Sequence, residues 1–216
     1  RLALEGIADL QRTDGASDVN YTAKGDKIYA GVKTKWIKFA YGLLARNANN
    51  LSNKAGYNPD QVITYVNNSF ANATDDAYVK FAGLSSADAN FFGPTRNNLS
   101  NYRQTDFILR AMDGTIFTGA VDPRMPNVLA PSQDLVFRGN PLNTTAGIVT
   151  ATRIPNLWGA ITTGSATMPG RYLFRDKADF PLMTYTELQF IKAEAYLKKG
   201  DNTNALASGN KLTVTG

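Results

Sequence analysis

Between Thr184 and Ala207 the apolar residues recur at helical spacing, in the run TYTELQFIKAEAYLKKGDNTNALA. At ~100° per residue, Leu188, Ile191 and Ala195 fall on one side, with Phe190, Ala193 and Leu197 roughly opposite. Glu187, Glu194 and Lys198 fill one polar strip between them, and Lys192 and Lys199 the other. A surface helix carries one apolar stripe, so two stripes predict packing on two sides. Thr184 with Glu187 three residues later is a capping-box signature, and Gly200 supplies a left-handed stop. Asp201–Ala205 reads as the start of a second helix, although Asn204–Gly216 does not continue as a clean one. Two helices joined by a short Gly-Asp turn, with alanines at the contacts, form a tetratricopeptide-type hairpin pattern.

A second periodic stretch is Val32–Leu51, where Val32, Trp36, Phe39, Ala40 and Leu43 form an apolar arc. Ile37, Tyr41, Leu44 and Ala48 widen it to about half the circumference, which again predicts burial between neighbours, with Trp36 as a core residue. Asn58-Pro59-Asp60-Gln61 is a helix start with Asn as cap and Pro at the first position. Val62, Ile63, Val66 and Phe70 give that helix its inner face, so Val32–Ala71 is another hairpin. Leu2–Gln11 is a short amphipathic helix, and the polar stretch Arg12–Asp26 is a loop.

From about Ala73 the pattern changes. Tyr78-Val79-Lys80-Phe81 alternates like a short strand. Ser85–Tyr102 is a long polar loop, of a length that is often functional. Thr105–Met112 is a short helix capped by Thr105, with Gly114 near its end. In Asp122-Pro123-Arg124-Met125-Pro126 the Asp/Arg pair reads as a structural clamp on a turn. Ser132–Ser165 reads as long loops with one or two short strands, and Arg171–Phe174 as a strand leading towards Thr184. The expected fold is therefore mainly α: irregular tetratricopeptide-like helical hairpins with long loop-rich insertions and a few short strands. Residues 1–72 and 184–207 form the scaffold of a single domain spanning 1–216, and residues 73–183 are the loop-rich segment, with a short helix at 105–112.

Composition narrows the chemistry. The chain has 216 residues, 43% hydrophobic and 19% charged, enough to bury a core. No apolar run reaches ~18 residues, so no transmembrane helix is expected. The chain starts at Arg1 without a visible signal peptide and reads as a piece of a longer protein. It contains neither cysteine nor histidine. That excludes, within this chain, Ser-His-Asp and Cys-His nucleophile arrangements and the usual zinc sites. No catalytic residue, metal site or cofactor is expected. The net charge is +5, but the basic residues are scattered, which reads as solvated surface rather than a nucleic-acid footprint.

Four segments carry a family resemblance: Lys27–Leu51 (KIYAGVKTKWIKFAYGLLARNANNL), Tyr102–Met112 with its RQTDFILRAM run, the Asp122–Pro126 and Gly139-Asn140-Pro141 elements, and Phe180–Gly200 (FPLMTYTELQFIKAEAYLKKG). In this order and spacing the chain resembles the SusD/RagB-type nutrient-binding outer-membrane lipoproteins of Bacteroidetes. The resemblance implies an α-helical scaffold of tetratricopeptide-like hairpins with a loop-built ligand face. It implies a cell-surface protein of the outer membrane, tethered through a lipidated cysteine that this chain does not contain. It implies capture of glycans or peptides without catalysis, and their delivery to a SusC-like TonB-dependent transporter packed on the helical side.

Sugar rings offer C–H faces to aromatic side chains, while their hydroxyls need Asn, Asp or Arg partners. Loop aromatics beside such groups are therefore the candidate ligand contacts: Trp158 with Asn156; Tyr102 with Asn98, Asn101 and Arg103; and Phe91 and Phe92 with Arg96. Each competes with a role in anchoring its loop. Two other classes stay open. A scaffold binding only protein partners would show a regular repeat and few long loops. A glycan-active enzyme needs two carboxylates across a cleft. The only glutamates are Glu5, Glu187 and Glu194, and nothing places two of Asp75, Asp76, Asp88 and Asp106 across one.

Overall fold

A computed structural model describes residues 1–13, 24–142, 152–159 and 172–210. The readings made above for 14–23, 143–151, 160–171 and 211–216 lie outside the described residues. The chain forms two units, Arg1–Val79 with Pro181–Gly216, and Lys80–Phe180.

The first unit is built from helices α1 (Leu2–Gln11), α2 (Lys33–Asn49), α3 (Pro59–Asn67), α6 (Tyr185–Lys199) and α7 (Asn202–Asn210). Strand β1 (Ala77–Val79) pairs with β2 (Phe180–Met183) in a two-stranded sheet. Helix α1 packs on α2, α2 on both α3 and α6, α3 on α6, and α6 on α7.

Local chemistry sets the helix ends. Asn58 Oδ1 accepts the Gln61 N–H at 3.1 Å, with Pro59 at the first turn. Thr184 Oγ1 accepts the Glu187 N–H at 3.2 Å, and Gly200 closes α6 at φ 85°. The expected capping box is only half formed, because the Glu187 carboxylate turns to Arg46 of α2 instead. Helix α2 lacks a side-chain cap, and the turn leading into it is organised by Asp26. Its two carboxylate oxygens accept the N–H groups of Ile28, Tyr29 and Gly31 and the indole N–H of Trp36.

The core of this unit joins Ala45 of α2, Val62, Ile63 and Val66 of α3, Phe70, Met183, and Leu188, Ile191 and Ala195 of α6. Trp36 packs against it edge-on between Tyr29 and Phe39, as the apolar arc predicted. Gly42 marks the close approach of α2. A Cβ there would collide with Met183 Sδ and lie 3.0 Å from Ser69 Oγ and 3.3 Å from Leu188 Cδ1.

Two expectations for the second hairpin change. Asn204 does not end it: α7 runs to Asn210, started by Asp201, whose carboxylate accepts the Asn204 N–H at 3.1 Å and its side-chain amide at 2.6 Å. The second stripe of α6 is not buried either. Helix α7 packs on α6 but leaves Phe190 and Leu197 each 60% exposed, along a groove completed by Ala205 and Leu206.

The second unit has little regular structure: helices α4 (Asp106–Met112) and α5 (Met125–Val128), and a 3-10 turn at Pro94–Arg96. Tyr172–Phe174 forms turns rather than the expected strand, which lies instead at β2. Thr105 caps α4, its Oγ1 facing the Ile108 N–H at 3.4 Å. Isolated bridges pair Arg103 with Asn156, Thr105 with Asn140, and Asp113 with Val121.

Loops this long must satisfy their backbone groups by other means, and buried amides do so here. Asn90 is 1% exposed and donates to the carbonyls of Ala178 (2.8 Å) and Leu173 (3.2 Å) while accepting the Phe92 N–H (2.9 Å). Gln104 donates to the carbonyls of Ala130 (2.9 Å) and Arg138 (2.7 Å) and accepts the Ala130 N–H (3.1 Å). Gly139 passes so close to the backbone of Thr105 and Asp106 that any Cβ would collide with it. Asp122 and Arg124 form the expected clamp, with Nη2 to Oδ2 at 2.6 Å and the Arg124 N–H to Oδ1 at 2.9 Å.

Candidate functional site

The candidate ligand residues all lie in Lys80–Phe180, on three loop segments: Phe91–Asn98, Asn101–Arg103 and Asn156–Trp158. Their roles separate by burial.

Trp158 is 8% exposed, and its Nε1 donates to the Phe92 carbonyl at 2.8 Å. Its backbone N–H donates to Asn156 Oδ1 at 3.0 Å, and Asn156 is itself 5% exposed. Phe92 sits at the centre of an aromatic cluster, 5.4 Å from Phe91, 6.4 Å from Phe174 and 6.2 Å from Phe180 between ring centroids. Trp158 and Asn156 are thus buried and hold the loops together, and Phe92 is half-buried among its aromatic neighbours.

Phe91 and Tyr102 are different. They are 55% and 61% exposed, with rings facing solvent from braced backbones. Asn98 Nδ2 donates to the Phe91 carbonyl at 3.0 Å, and Arg96 Nε to the Ala89 carbonyl at 3.1 Å. Asn101 is exposed beside Tyr102. Rings displayed in this way can stack on a sugar face.

Beside Arg103 lies a hollow of about 250 Å³, lined by Arg103, Gln104, Thr105, Ile108, Val128, Leu129, Leu157 and Phe174. The Arg103–Asn156 bridge sets its two sides in register, and Phe174 joins it to the Phe92 cluster. Of its lining, only Arg103 was marked by the sequence. Gln104 and Thr105 follow it directly into helix α4, which adds Ile108, while Val128 and Leu129 come from the end of α5 and Leu157 and Phe174 from two distant loops.

Arg103 is half-buried. Its Nη1 donates to the carbonyls of Ser100 (2.7 Å) and Tyr102 (3.2 Å). Burial lowers its pKa, and the like charge of Arg153 lowers it further. Among the described residues no group of three or more Asp or Glu side chains is placed to hold a metal ion. No described helix is long and apolar enough to cross a membrane.

Comparisons with known proteins bear on the fold first. A SusD/RagB family protein of Bacteroides thetaiotaomicron matches with a TM-score of 0.62 and 26% sequence identity, over 96% of this chain and 42% of that one. A SusD homologue of Bacteroides ovatus matches with a TM-score of 0.60 at 18% identity, over 98% of this chain and 42% of that one. A SusD homologue of Parabacteroides distasonis gives 0.54 at 20% identity, over 96% and 47%. The chain thus spans less than half the length of these solved relatives. No curated protein matches it. Residues 6–207 match the sequence profile of the SusD-like family described as "Starch-binding associating with outer membrane". With that match across nearly its whole length, and with a mainly helical fold shared with solved SusD/RagB proteins, the chain belongs to the SusD-like family.

Proposed function

We propose that the chain is the glycan-binding part of a cell-surface nutrient-capture protein of the outer membrane. It captures an oligosaccharide, with peptides as the alternative ligand, and hands it to a SusC-like TonB-dependent transporter. A lipid anchor outside this chain holds it at the membrane, and the helical unit packs on the transporter. The observation that carries this reading is the family match over residues 6–207.

The geometry supports it in two ways. Phe91 and Tyr102 offer solvent-facing rings on braced loops, the kind of platform on which sugar C–H faces stack. The glutamates are occupied elsewhere: Glu187 pairs with Arg46, Glu194 accepts from Asn49 and Glu5 pairs with Arg1. The chain works by binding and release, without bond cleavage.

The test is calorimetric titration of the full-length protein against neutral and acidic glycans and a peptide mixture, beside Phe91→Ala and Tyr102→Ala. Saturable binding to one glycan class, weakened at least fivefold by either substitution at unchanged melting temperature, is the expected result. A well-folded protein that binds nothing in the panel, or that releases new reducing ends, would overturn the reading.

A further inference from the structure

Most arginines of the Lys80–Phe180 unit are neutralised or hold loop carbonyls. Arg110 faces Asp106 at 3.7 Å, Arg124 faces Asp122 at 2.6 Å and Arg138 faces Asp134 at 2.6 Å. Arg96 and Arg175 donate to backbone carbonyls.

Arg103 and Arg153 break this pattern. Arg103 uses only Nη1, on the Ser100 and Tyr102 carbonyls. Its Nε and Nη2 donate to nothing, and no carboxylate faces it among the described residues. Arg153 is half-buried and has neither carboxylate nor carbonyl partner there. Burial lowers the Arg103 pKa first, and the like charge of Arg153 adds to that shift. The bridge between Arg103 and Asn156 brings their segments together, three residues from Arg153.

Two like charges held half-buried without a counter-ion carry an electrostatic cost that a bound anion removes. Guanidinium donors in a planar fork match carboxylate and sulfate oxygens bidentately.

The hollow beside Arg103 supplies the rest of a ligand. Ile108, Val128, Leu129, Leu157 and Phe174 make an apolar wall. Its volume of about 250 Å³ is below the ~300–1,000 Å³ of pockets for drug-sized molecules, a size for one ring rather than a chain of them.

We propose that this hollow is a subsite for an acidic sugar. The ring lies on the apolar wall, and its carboxylate or sulfate meets the Nε and Nη2 edge of Arg103, with Arg153 as a second positive charge on the neighbouring segment. This rests on the glycan-binding reading above and narrows it to anionic glycans.

The experiment titrates the full-length protein with oligogalacturonate and its methyl ester, and with a carrageenan oligosaccharide and its desulfated form. Arg153→Gln is the main variant because among the described residues its side chain makes no hydrogen bond or ion pair. Arg103→Lys keeps the charge but loses the fork. The expected result is at least tenfold tighter binding of one acidic form than of its neutral partner. That preference should shrink with added salt and fall about tenfold in Arg153→Gln at unchanged melting temperature; Arg103→Lys should weaken it as well. Preference for oligogalacturonate identifies a carboxylate ligand, and preference for carrageenan a sulfate. Equal binding of charged and neutral forms, or a preference that both variants leave untouched, overturns the anionic subsite while the glycan-binding reading stands. Absence of binding to all four overturns the anionic subsite, while the glycan-binding reading falls only if the wider glycan panel above is silent as well.

Discussion

The indole of Trp158 donates its Nε1 hydrogen to the backbone carbonyl of Phe92 at 2.8 Å. That bond fixes the loop bearing Phe91, whose ring is 55% exposed while Trp158 is 8% exposed. The buried ring supports the displayed one. Trp158→Ala should therefore destabilise the Lys80–Phe180 unit by ~3–5 kcal/mol, in the range of large aromatic truncations. Trp158→Phe, which keeps most of the packing but orphans the carbonyl, should cost ~1–3 kcal/mol. Denaturant titration of both checks this. A Trp158→Ala protein of unchanged stability that loses only ligand affinity would return Trp158 to the binding face.

Gly42 faces Met183, Ser69 and Leu188 with no room for a Cβ. Ala is the better helix former by ~1 kcal/mol, yet Gly42→Ala should lower stability by ~1–3 kcal/mol, because overpacking against a filled core outweighs propensity. Gly6 has open space around its Cα, so Gly6→Ala should be neutral or stabilising. Thermal melts of the pair separate steric from propensity effects, and equal shifts in both would contradict the packing argument.

Acid should loosen the helical unit through Asp75 and Asp26. Burial works to raise the Asp75 pKa. The Lys38 hydrogen bond at 2.8 Å, the Ala71 N–H and the nearby Lys38 and Lys35 charges outweigh it and hold the value below the usual one. Asp26 is likewise pushed up by burial and drawn down further by the N–H groups of Tyr29 and Gly31, the Trp36 indole and the Ile28 N–H. Carboxylates with lowered folded values contribute stability that is present above the unfolded pKa of ~3.9. It is lost as pH falls through the folded value. Asp76 acts in the opposite sense, since burial holds it above the usual value. Asp75→Asn should lower the melting temperature at neutral pH and flatten its fall between about pH 5 and pH 2. A wild-type slope retained in the variant would remove Asp75 from this account.

Arg46 reaches Glu187 with two hydrogen bonds, at 2.6 and 2.7 Å, and the Leu182 carbonyl at 2.9 Å. Both side chains are about a third exposed, at 34% and 37%, so solvent screens the pair. A double-mutant cycle with Arg46→Met and Glu187→Gln should give a coupling of ~0.5–1 kcal/mol that declines with salt. A coupling of ~3 kcal/mol or more, insensitive to salt, would mean that the pair is effectively desolvated.

The helices were legible because their signals are local. Asn58-Pro59, Thr184 with Glu187, and Gly200 each act within one turn, and each is found at a helix end. What the sequence hid depended on partners far along the chain. Glu187 left its capping box for a residue of α2, and Phe190 and Leu197 read as buried because periodicity reports a stripe but not what covers it. The burial of Trp158 was hidden for the same reason. A tryptophan in a polar loop reads alike whether it faces water or a carbonyl sixty-six positions away in sequence. The hollow beside Arg103 was illegible because α4, the end of α5 and two loops meet only in the fold.

The pairing of β1 with β2 has a consequence for how such a chain can diversify. The chain leaves the helical unit at Val79 and re-enters it at Pro181, and the two strands at that junction are hydrogen-bonded neighbours. Paired strands lie ~4.8 Å apart, so the departure and return points stay together whatever lies between them. Lengthening or rewriting a loop inside Lys80–Phe180 changes closure entropy only logarithmically and leaves the core residues of α2, α3 and α6 in place. The junction therefore works as a socket: the insert can be rewritten while the helical frame is inherited unchanged.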